Sequence, residues 1–133
     1  MSRDFIADIN AMHDKFKVKD TVNGMNADML SKFWKFRLDC IQEEVDETVN
    51  AETADDAVDG LIDMIVFALG TLNAFGVDEH LAWTRVHLAN IVKEPGIKEG
   101  RPNEFGFPDL IKPEGWKAPS HVDNVGLLSK VFE

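Results

Sequence analysis

The sequence predicts an all-α protein, a bundle of four to five helices followed by an irregular tail. Apolar residues recur at helical spacing along much of the chain, whereas the alternating pattern of strands is scarce. Tyrosine is absent, and no Asn-Gly or Asp-Gly pair lies between two strand-like runs. All five prolines fall in residues 95–119, after the last helical pattern. We therefore expect a single domain over residues 1–133, in which residues 95–133 form an irregular tail rich in proline and glycine.

The first two helices are predicted from stripes of apolar residues. One stripe recurs every three or four positions in residues 3–16: Phe5, Ile9, Met12 and Phe16. Residues 17–26 contain Gly24 and two asparagines, which is typical of a loop. A second helix is expected from about Ala27 to about Asn50. One side of it would carry Leu30, Phe33, Trp34, Arg37, Ile41 and Val45.

Two further helices follow. Thr53 has the character of an N-cap, with Asp56 three residues later, and a third helix is expected over residues 55–75. Beyond Asp63 its apolar face is so wide that burial on more than one side is predicted. Gly76 is suited to a left-handed helix end, and Asp78 to capping a fourth helix. The buried residues of this fourth helix are predicted to be Leu81, Ala82, Val86, Ala89 and Val92.

Composition excludes several classes of protein. The net charge is −10, from 24 acidic side chains against 14 Lys and Arg, which argues against a protein that binds nucleic acid by neutralising its phosphates. A small phosphate-bearing ligand remains compatible with this charge, since divalent cations can bring it to an acidic site. Cys40 is the single cysteine, which is compatible with a reducing cytoplasm, and a cytoplasmic location is expected. The N-terminus lacks the apolar core of a signal peptide, and no membrane span is expected.

Two sets of acidic residues are spaced so that they can meet. Glu44 and Glu47 share one face of the second helix, while a face of the third helix carries Asp56, Asp59 and Asp63. The loop at residues 50–54 is short enough to force an antiparallel hairpin. At ~1.5 Å rise per residue, the two sets then stand level with each other. Four carboxylates are therefore predicted to converge between two packed helices.

Asp63 favours a metal site over a solvated acidic surface. It lies among apolar residues in "GLIDMIVFAL", where an isolated carboxylate would be costly to bury. The alternative is an ion pair, for which Arg37 on the second helix is the candidate partner. Ligands that are all carboxylate oxygens suit Mg²⁺, or Mn²⁺, better than Zn²⁺.

These residues occur in motifs that resemble a known family. "EEVDE" at 43–47 fits an EExxE pattern, and a helix bearing Asp63 follows it. Further elements occur in the same order: "MHDKF" at 12–16, "FRLDCIQEE" at 36–44, "DGLIDMIVFALGTLNAFGVD" at 59–78, "VHLANIVK" at 86–93 and "IKPEGWKAP" at 111–119. Together they resemble the MazG-like, all-α nucleoside triphosphate pyrophosphohydrolases, the superfamily of phosphoribosyl-ATP pyrophosphohydrolase and the dimeric dUTPases. The small single-domain members common in bacteriophages are the most similar.

The resemblance implies Mg²⁺-dependent hydrolysis of a nucleoside triphosphate, expected to be a deoxynucleotide, into a monophosphate and pyrophosphate. The metal ligands would be Glu44, Glu47, Asp59 and Asp63. Glu43 would support them or orient a basic residue, and Glu47 or Glu44 would take the proton of the attacking water. The family's commonest second motif is ExxD, but Gly60 stands three residues before Asp63. Asp59 has to replace that glutamate, with Asp56 as a substitute or a substrate contact.

Substrate contacts are predicted outside the acidic motifs, each beside a plainer alternative. Lys93 and Lys112 would contact phosphates, although lysines at a helix end or on a surface often have no such role. Asn90 would contact the nucleotide. Three residues of the first two helices are candidates for the pocket, with ordinary core packing as the alternative: His13, Trp34 and Arg37.

The apolar third helix also predicts a homodimer or homotetramer, since a chain of this size has difficulty covering it alone. Two alternatives to the expected reaction stay open. One is phosphoribosyl-ATP or dUTP as the substrate on the same scaffold. The other is a helical module that binds or senses nucleotides without catalysis.

Overall fold

The computed structural model describes residues 2–98 and 104–133 and is mostly helical, as predicted. Within these residues there are five α-helices: α1 (Phe5–Lys15), α2 (Val18–Asn23), α3 (Ala27–Val49), α4 (Ala54–Ala74) and α5 (Glu79–Ile91). A small antiparallel sheet pairs β1 (Glu94–Gly96) with β2 (Asp109–Ile111), and a 3₁₀ helix spans Gly126–Lys130. The predicted tail therefore contains some regular structure. Its residues 99–103 lie outside the described part of the chain.

Helices α3 and α4 have N-caps that the sequence specifies. The Asn26 side chain accepts a hydrogen bond from the backbone N–H of Met29 at 2.9 Å, and the Thr53 hydroxyl accepts one from the N–H of Asp56 at 3.1 Å. Acidic residues in the first turns add to this stabilisation, because the helix dipole favours negative charge there. At the other end of α4, Gly76 adopts a φ of 78°, as expected for a left-handed terminator.

Helices α3 and α4 run antiparallel. Thr48, near the end of α3, lies against Gly60 near the start of α4. At the other end of the pair, the Arg37 guanidinium donates to the hydroxyl of Thr71 at 2.9 Å. Only residues 50–53 connect the two helices. The hairpin therefore brings the end of α3 and the beginning of α4 level with each other, where the acidic residues are.

The chain divides into two compact units, Met1–Glu79 with Asn124–Glu133, and His80–Asp123. In the first unit the core is formed by Val22, Leu30, Ala74 and Phe75. The Phe75 ring lies 5.5 Å from that of Phe33 and 5.9 Å from that of Trp34. The C-terminal segment joins this core, since the backbone N–H of Leu127 donates to the carbonyl of Phe75 at 2.7 Å.

The second unit contains most of α5, both strands and the loops around them. Arg85 donates to both carboxylate oxygens of Asp123, at 2.6 and 2.9 Å, which ties α5 to the end of the unit. The indole N–H of Trp116 donates to the carbonyl of Ala89 at 2.7 Å. In the sheet, Pro95 stands opposite Leu110.

Two sequence expectations about local structure are wrong, and the face that α1 buries differs from its apolar stripe. Residues 17–26 are not all loop, because Val18–Asn23 forms the short helix α2, which buries Val22 in the core. The predicted stripe on α1 is mostly exposed: Phe5 is 62% and Phe16 65% exposed, while Ile9 and His13 are buried. On the fourth predicted helix, three of the five residues expected inside are exposed in this single chain: Leu81, Val86 and Val92.

By length and composition alone, α4 would be apolar enough to cross a membrane, with a mean hydropathy of 1.5 in its most apolar window. Such a helix is weak evidence for a membrane protein. Its first half carries Asp55, Asp56, Asp59 and Asp63. The exposed Leu61 and Ile65 lie on a different side from Asp63, since each is about 200° around the helix from it.

Candidate functional site

The predicted acidic residues line one cavity between α3 and α4. The cavity has a volume of about 430 Å³ and is open to solvent. We call it the acidic cavity; its lining consists of Glu44, Glu47, Asn50, Ala51, Glu52, Asp56, Asp59, Gly60 and Asp63. The hairpin thus brings together all four predicted metal ligands, together with Asp56.

The charges in this cavity act on one another. Partial burial raises the pKa of the Glu44 carboxyl, and repulsion from Glu47 and Asp63 raises it further. Glu43 and Asp59 add smaller contributions of the same sign. The carboxylates of the two helices therefore repel one another, and a bound cation would reduce this repulsion.

The donor atoms fit a hard cation, but the side chains do not form a closed coordination shell. Within residues 2–98 and 104–133, no group of three or more His, Cys, Asp or Glu side chains is close enough together to hold a metal ion. Glu44 and Asp63 are half-buried, whereas Glu47 and Asp59 extend into solvent. A bound ion would need the longer glutamate side chains to turn inward. Oxygen ligands on such flexible side chains are compatible with Mg²⁺, which usually keeps several of its waters.

Glu43 and Asp46 lie on the outer side of α3. Glu43 is exposed and does not line the acidic cavity, although its charge contributes to the raised pKa of Glu44. Asp46 is exposed as well and accepts a hydrogen bond from the Gln42 side chain at 3.0 Å. The angular division of the acidic turn predicted from the sequence is therefore present in the structure.

Asp63 is less enclosed than its apolar neighbours suggest, and Arg37 is not its partner. The Arg37 guanidinium donates instead to the hydroxyl of Thr71 and, at 3.1 Å, to the carbonyl of Phe67. It also lies over the Phe67 ring, 5.1 Å from its centre. In the antiparallel pair, Arg37 stands level with Thr71, about two turns of α4 beyond Asp63. An ion pair with Arg37 therefore does not explain this aspartate.

Trp34 lies in the core of the first unit. Its ring contacts that of Phe75 edge-on and that of Phe132 at 5.7 Å, also edge-on. The structure places it away from the acidic residues, among side chains that pack the C-terminal segment against α3. This is the plainer of the two roles considered for it.

His13 belongs to a buried polar network. Its Nδ1 lies 2.8 Å from the Asn73 side-chain oxygen, and the Asn73 amide donates to both Asn10 and Glu79 at 2.7 Å. Since the Asn73 oxygen is the acceptor in this arrangement, His13 carries a proton on Nδ1. Burial lowers the pKa of His13; the bond to Asn73 opposes this, and the charges of Arg37 and Lys19 add to the lowering.

The lowered pKa of His13 predicts that acid destabilises the fold. In the unfolded chain His13 has its ordinary pKa of 6.5, whereas in the folded chain it takes up a proton only at a lower pH. The contribution of neutral His13 to the free energy of unfolding is therefore fully present above pH 6.5 and is lost as the pH falls below that value. Urea unfolding at about pH 7.5 and about pH 5.5 should show a smaller loss for His13→Gln than for the wild type. Because the raised pKa of Glu44 acts in the opposite direction in both proteins, the difference between them is the test. Equal losses would contradict the prediction.

Two predicted phosphate contacts meet in the second unit. The ammonium groups of Lys93 and Lys112 lie 5.3 and 4.9 Å from the centre of the Trp116 ring. Both distances are typical of cation–π contacts. Trp116 also lines a cavity of about 780 Å³ between α5 and residues 113–123. The side chain of Asn90 is exposed, and its backbone carbonyl accepts from the N–H of Lys93.

The sequence did not reveal two side chains of these regions. Glu52 lines the acidic cavity from the connection between α3 and α4, where a single acid has no helical spacing to mark it. Trp116 contacts both Lys93 and Lys112 through its ring. In the sequence, only its position within the tail segment "IKPEGWKAP" could have drawn attention to it.

Comparison with known families gives one match. The family model for phosphoribosyl-ATP pyrophosphohydrolase matches residues 9–90, more than half of the chain. The chain belongs to the phosphoribosyl-ATP pyrophosphohydrolase family. No curated protein and no solved structure matches it significantly. The matched region contains every residue of the acidic cavity, whereas Lys93 and Lys112 lie beyond its end.

Membership of the phosphoribosyl-ATP pyrophosphohydrolase family supports the pyrophosphohydrolase kind of activity, with a nucleotide as substrate. This chain departs from the family's ExxD pattern at Gly60, which occupies the position of the glutamate. Gly60 is buried against Thr48 of α3, so that in this chain a small residue occupies the contact between the two acid-bearing helices.

Proposed function

We propose that this protein hydrolyses a nucleoside triphosphate, preferably a deoxynucleotide, between its α and β phosphorus atoms. The products would be a nucleoside monophosphate and pyrophosphate. The observation that carries the proposal is the acidic cavity itself. Its acids come from two paired helices inside the region that matches a pyrophosphohydrolase family.

Mg²⁺ is proposed as the cofactor, with Mn²⁺ as a substitute. The ligands would be Glu44, Glu47, Asp59 and Asp63. A polyphosphate and this cavity carry charges of the same sign and repel each other, as the carboxylates of Glu47 and Asp63 repel that of Glu44. When bound, Mg²⁺ supplies the positive charge that offsets this repulsion and makes a bound water more acidic.

The chain's own side chains would orient the reactants and accept a proton. Glu47 or Glu44 would take the proton of the attacking water, because both face the cavity from α3. Glu43 would act indirectly, through its effect on the charge of Glu44. Asp56 would contact the substrate or replace Asp59, directly or through water.

The lysines around Trp116 would contact the phosphates of the substrate. Both ammonium groups lie beside one indole ring, and their positive charges would attract an anion to this part of the surface. Asn90, whose carbonyl accepts from the Lys93 N–H, would contact the nucleotide with its exposed side chain.

We also propose that the working protein is a homodimer or a homotetramer. The side of α4 that faces away from α3 exposes a row of apolar residues, in which Val58 is 63%, Leu61 54% and Ile65 45% exposed. Apolar rows of this kind on a helix are usually buried against another surface. A second copy of the chain supplies an identical row, so that the two could cover each other.

A direct assay tests the proposed reaction. The protein should release pyrophosphate from one or more members of a panel of canonical and modified nucleoside triphosphates when Mg²⁺ is present, and release none in excess chelator. The panel should include dUTP and phosphoribosyl-ATP, because either as the best substrate would replace the proposed specificity. Tight nucleotide binding without turnover of any substrate would favour a sensor and contradict the proposal.

A further inference from the structure

The two helices of the acidic cavity approach each other closely at Gly60, where α4 has no side chain. Gly60 is buried, and its hydrogen atoms face Thr48 of α3. A Cβ atom at position 60 would overlap the Thr48 hydroxyl and lie 3.2 Å from Thr48 Cβ and 3.6 Å from its Cα. The absence of a side chain therefore allows the backbones to approach closely at this position.

Thr48 has little freedom to move away from this contact. Its hydroxyl donates to the carbonyl of Glu44 at 2.7 Å, one turn earlier in α3. Threonine is also restricted about its first side-chain torsion by its branched Cβ. An added methyl group at position 60 would therefore have to displace the helices relative to each other, since turning one flexible side chain would not make room for it.

The contact lies among the carboxylates. Glu47 directly precedes Thr48, and Asp59 directly precedes Gly60. Asp63 is three residues further along α4, close to one helical turn. Gly60 itself lines the acidic cavity. The separation of the backbones at Thr48 and Gly60 therefore determines how far the acids of α3 stand from those of α4.

We propose that Gly60 and Thr48 are positioning residues that set the spacing of the two halves of the carboxylate site. This rests on the proposed metal-dependent function. Mg²⁺ and Mn²⁺ hold oxygen ligands at short, closely defined distances, roughly 2.0–2.2 Å. A site whose two halves stand on different helices binds such an ion well only at one separation, and the glycine–threonine contact maintains it.

The test is Mn²⁺ binding to the intact chain without nucleotide. Binding can be measured by titration calorimetry or by the loss of the electron paramagnetic resonance signal of free Mn²⁺. Gly60→Ala should weaken binding by about 10-fold to 100-fold, the range seen when groups that orient metal ligands are changed. Gly60→Ala combined with Thr48→Ala should recover most of that loss, because the hydroxyl that obstructs the new methyl group is gone. Thr48→Ala alone should weaken binding, but by less than Gly60→Ala does, because it loosens the contact between the helices without forcing them apart.

Gly70→Ala is the matched control. It is the other buried glycine of α4, and its added Cβ would meet the end of the Arg37 side chain, about two turns beyond Asp63. Mn²⁺ affinity should not change in this variant. Equal weakening in Gly70→Ala and Gly60→Ala would overturn the proposal, because general helix packing would then explain both.

A purely structural role for Gly60 predicts a different result. A role in helix packing alone would leave the Mn²⁺ affinity of Gly60→Ala unchanged, whatever happened to its stability. If the contact had no effect at all, Gly60→Ala would be more stable than the wild type, because alanine favours a helix interior over glycine. If Gly60→Ala alone does not fold, the double variant decides: recovered folding and binding support the proposal, and failure of either overturns it. A wild type that binds no Mn²⁺ removes the proposed metal site as well, whereas unchanged affinity in Gly60→Ala removes only the positioning role.

Discussion

Glu44→Gln and Asp63→Asn should each reduce the rate of pyrophosphate release at least about 100-fold at saturating Mg²⁺. Each substitution removes one negative charge and one carboxylate oxygen from the acidic cavity, on α3 and on α4 respectively. Metal ions contribute several kcal/mol to such reactions, and ~1.4 kcal/mol corresponds to a tenfold change in rate. The measurement is the initial rate with the best substrate of the panel. Circular dichroism should show that both variants keep the helical fold.

Asp46→Asn is the matched control for these two variants. It removes the same charge from the same acidic turn of α3, but at an exposed position outside the cavity. The Gln42 side chain can still donate to the amide oxygen that replaces the carboxylate. We expect activity within about threefold of the wild type, as for most surface substitutions. An equal loss in all three variants would mean that the net charge of the turn matters and that these carboxylates are not individual ligands.

Leu61→Glu and Ile65→Glu should each convert the proposed oligomer into monomers. Both residues lie on the exposed apolar row of α4, one turn apart. Burying an unpaired carboxylate in an apolar interface costs several kcal/mol, which weakens association at least about 100-fold. Light scattering during size-exclusion chromatography measures the mass directly. The wild type should have a multiple of the chain mass of 14.9 kDa at a concentration where both variants have the monomer mass.

Val122→Glu provides the control for added charge. Val122 is an apolar residue that is 83% exposed, but it lies in the second unit, away from α4 in the sequence. This variant should keep the oligomeric mass of the wild type. A wild type that is already monomeric, or variants of α4 that remain oligomeric, would show that the apolar row is covered in some other way.

The hairpin and its acids could be predicted from the sequence because they depend on local rules. The spacing of Glu44 and Glu47, the Thr53 cap and a connection of a few residues together fix which side chains stand level. Helix boundaries were close for the same reason: α3 was expected to end at about Asn50 and ends at Val49. Periodicity and caps act over a few residues, and the sequence shows them directly.

Features that depend on distant contacts could not be predicted in this way. Helix α2 is six residues long, and the packing of Val22 against the distant Phe75 supports it. His13 looked like a pocket residue, but its environment is set by Asn73, sixty positions away. Arg37 was considered as a possible partner of Asp63, but in the antiparallel pair it stands level with a later part of α4 and donates to Thr71 and Phe67. Sequence spacing does not report such pairings.

The order of the two units along the chain makes the second one an insertion. The first unit is left after Glu79 and resumed at Asn124. At that junction the side chain of Asn124 exchanges two hydrogen bonds with the backbone of Asp78, at 2.8 and 2.9 Å. These hydrogen bonds therefore hold together the two points at which the chain leaves the first unit and returns to it. Segments of different length can be exchanged between such fixed points without rerouting the rest of the chain. Changes of length in the loops of residues 92–123 should therefore leave the acidic hairpin as it is, because both of its helices lie in the first unit.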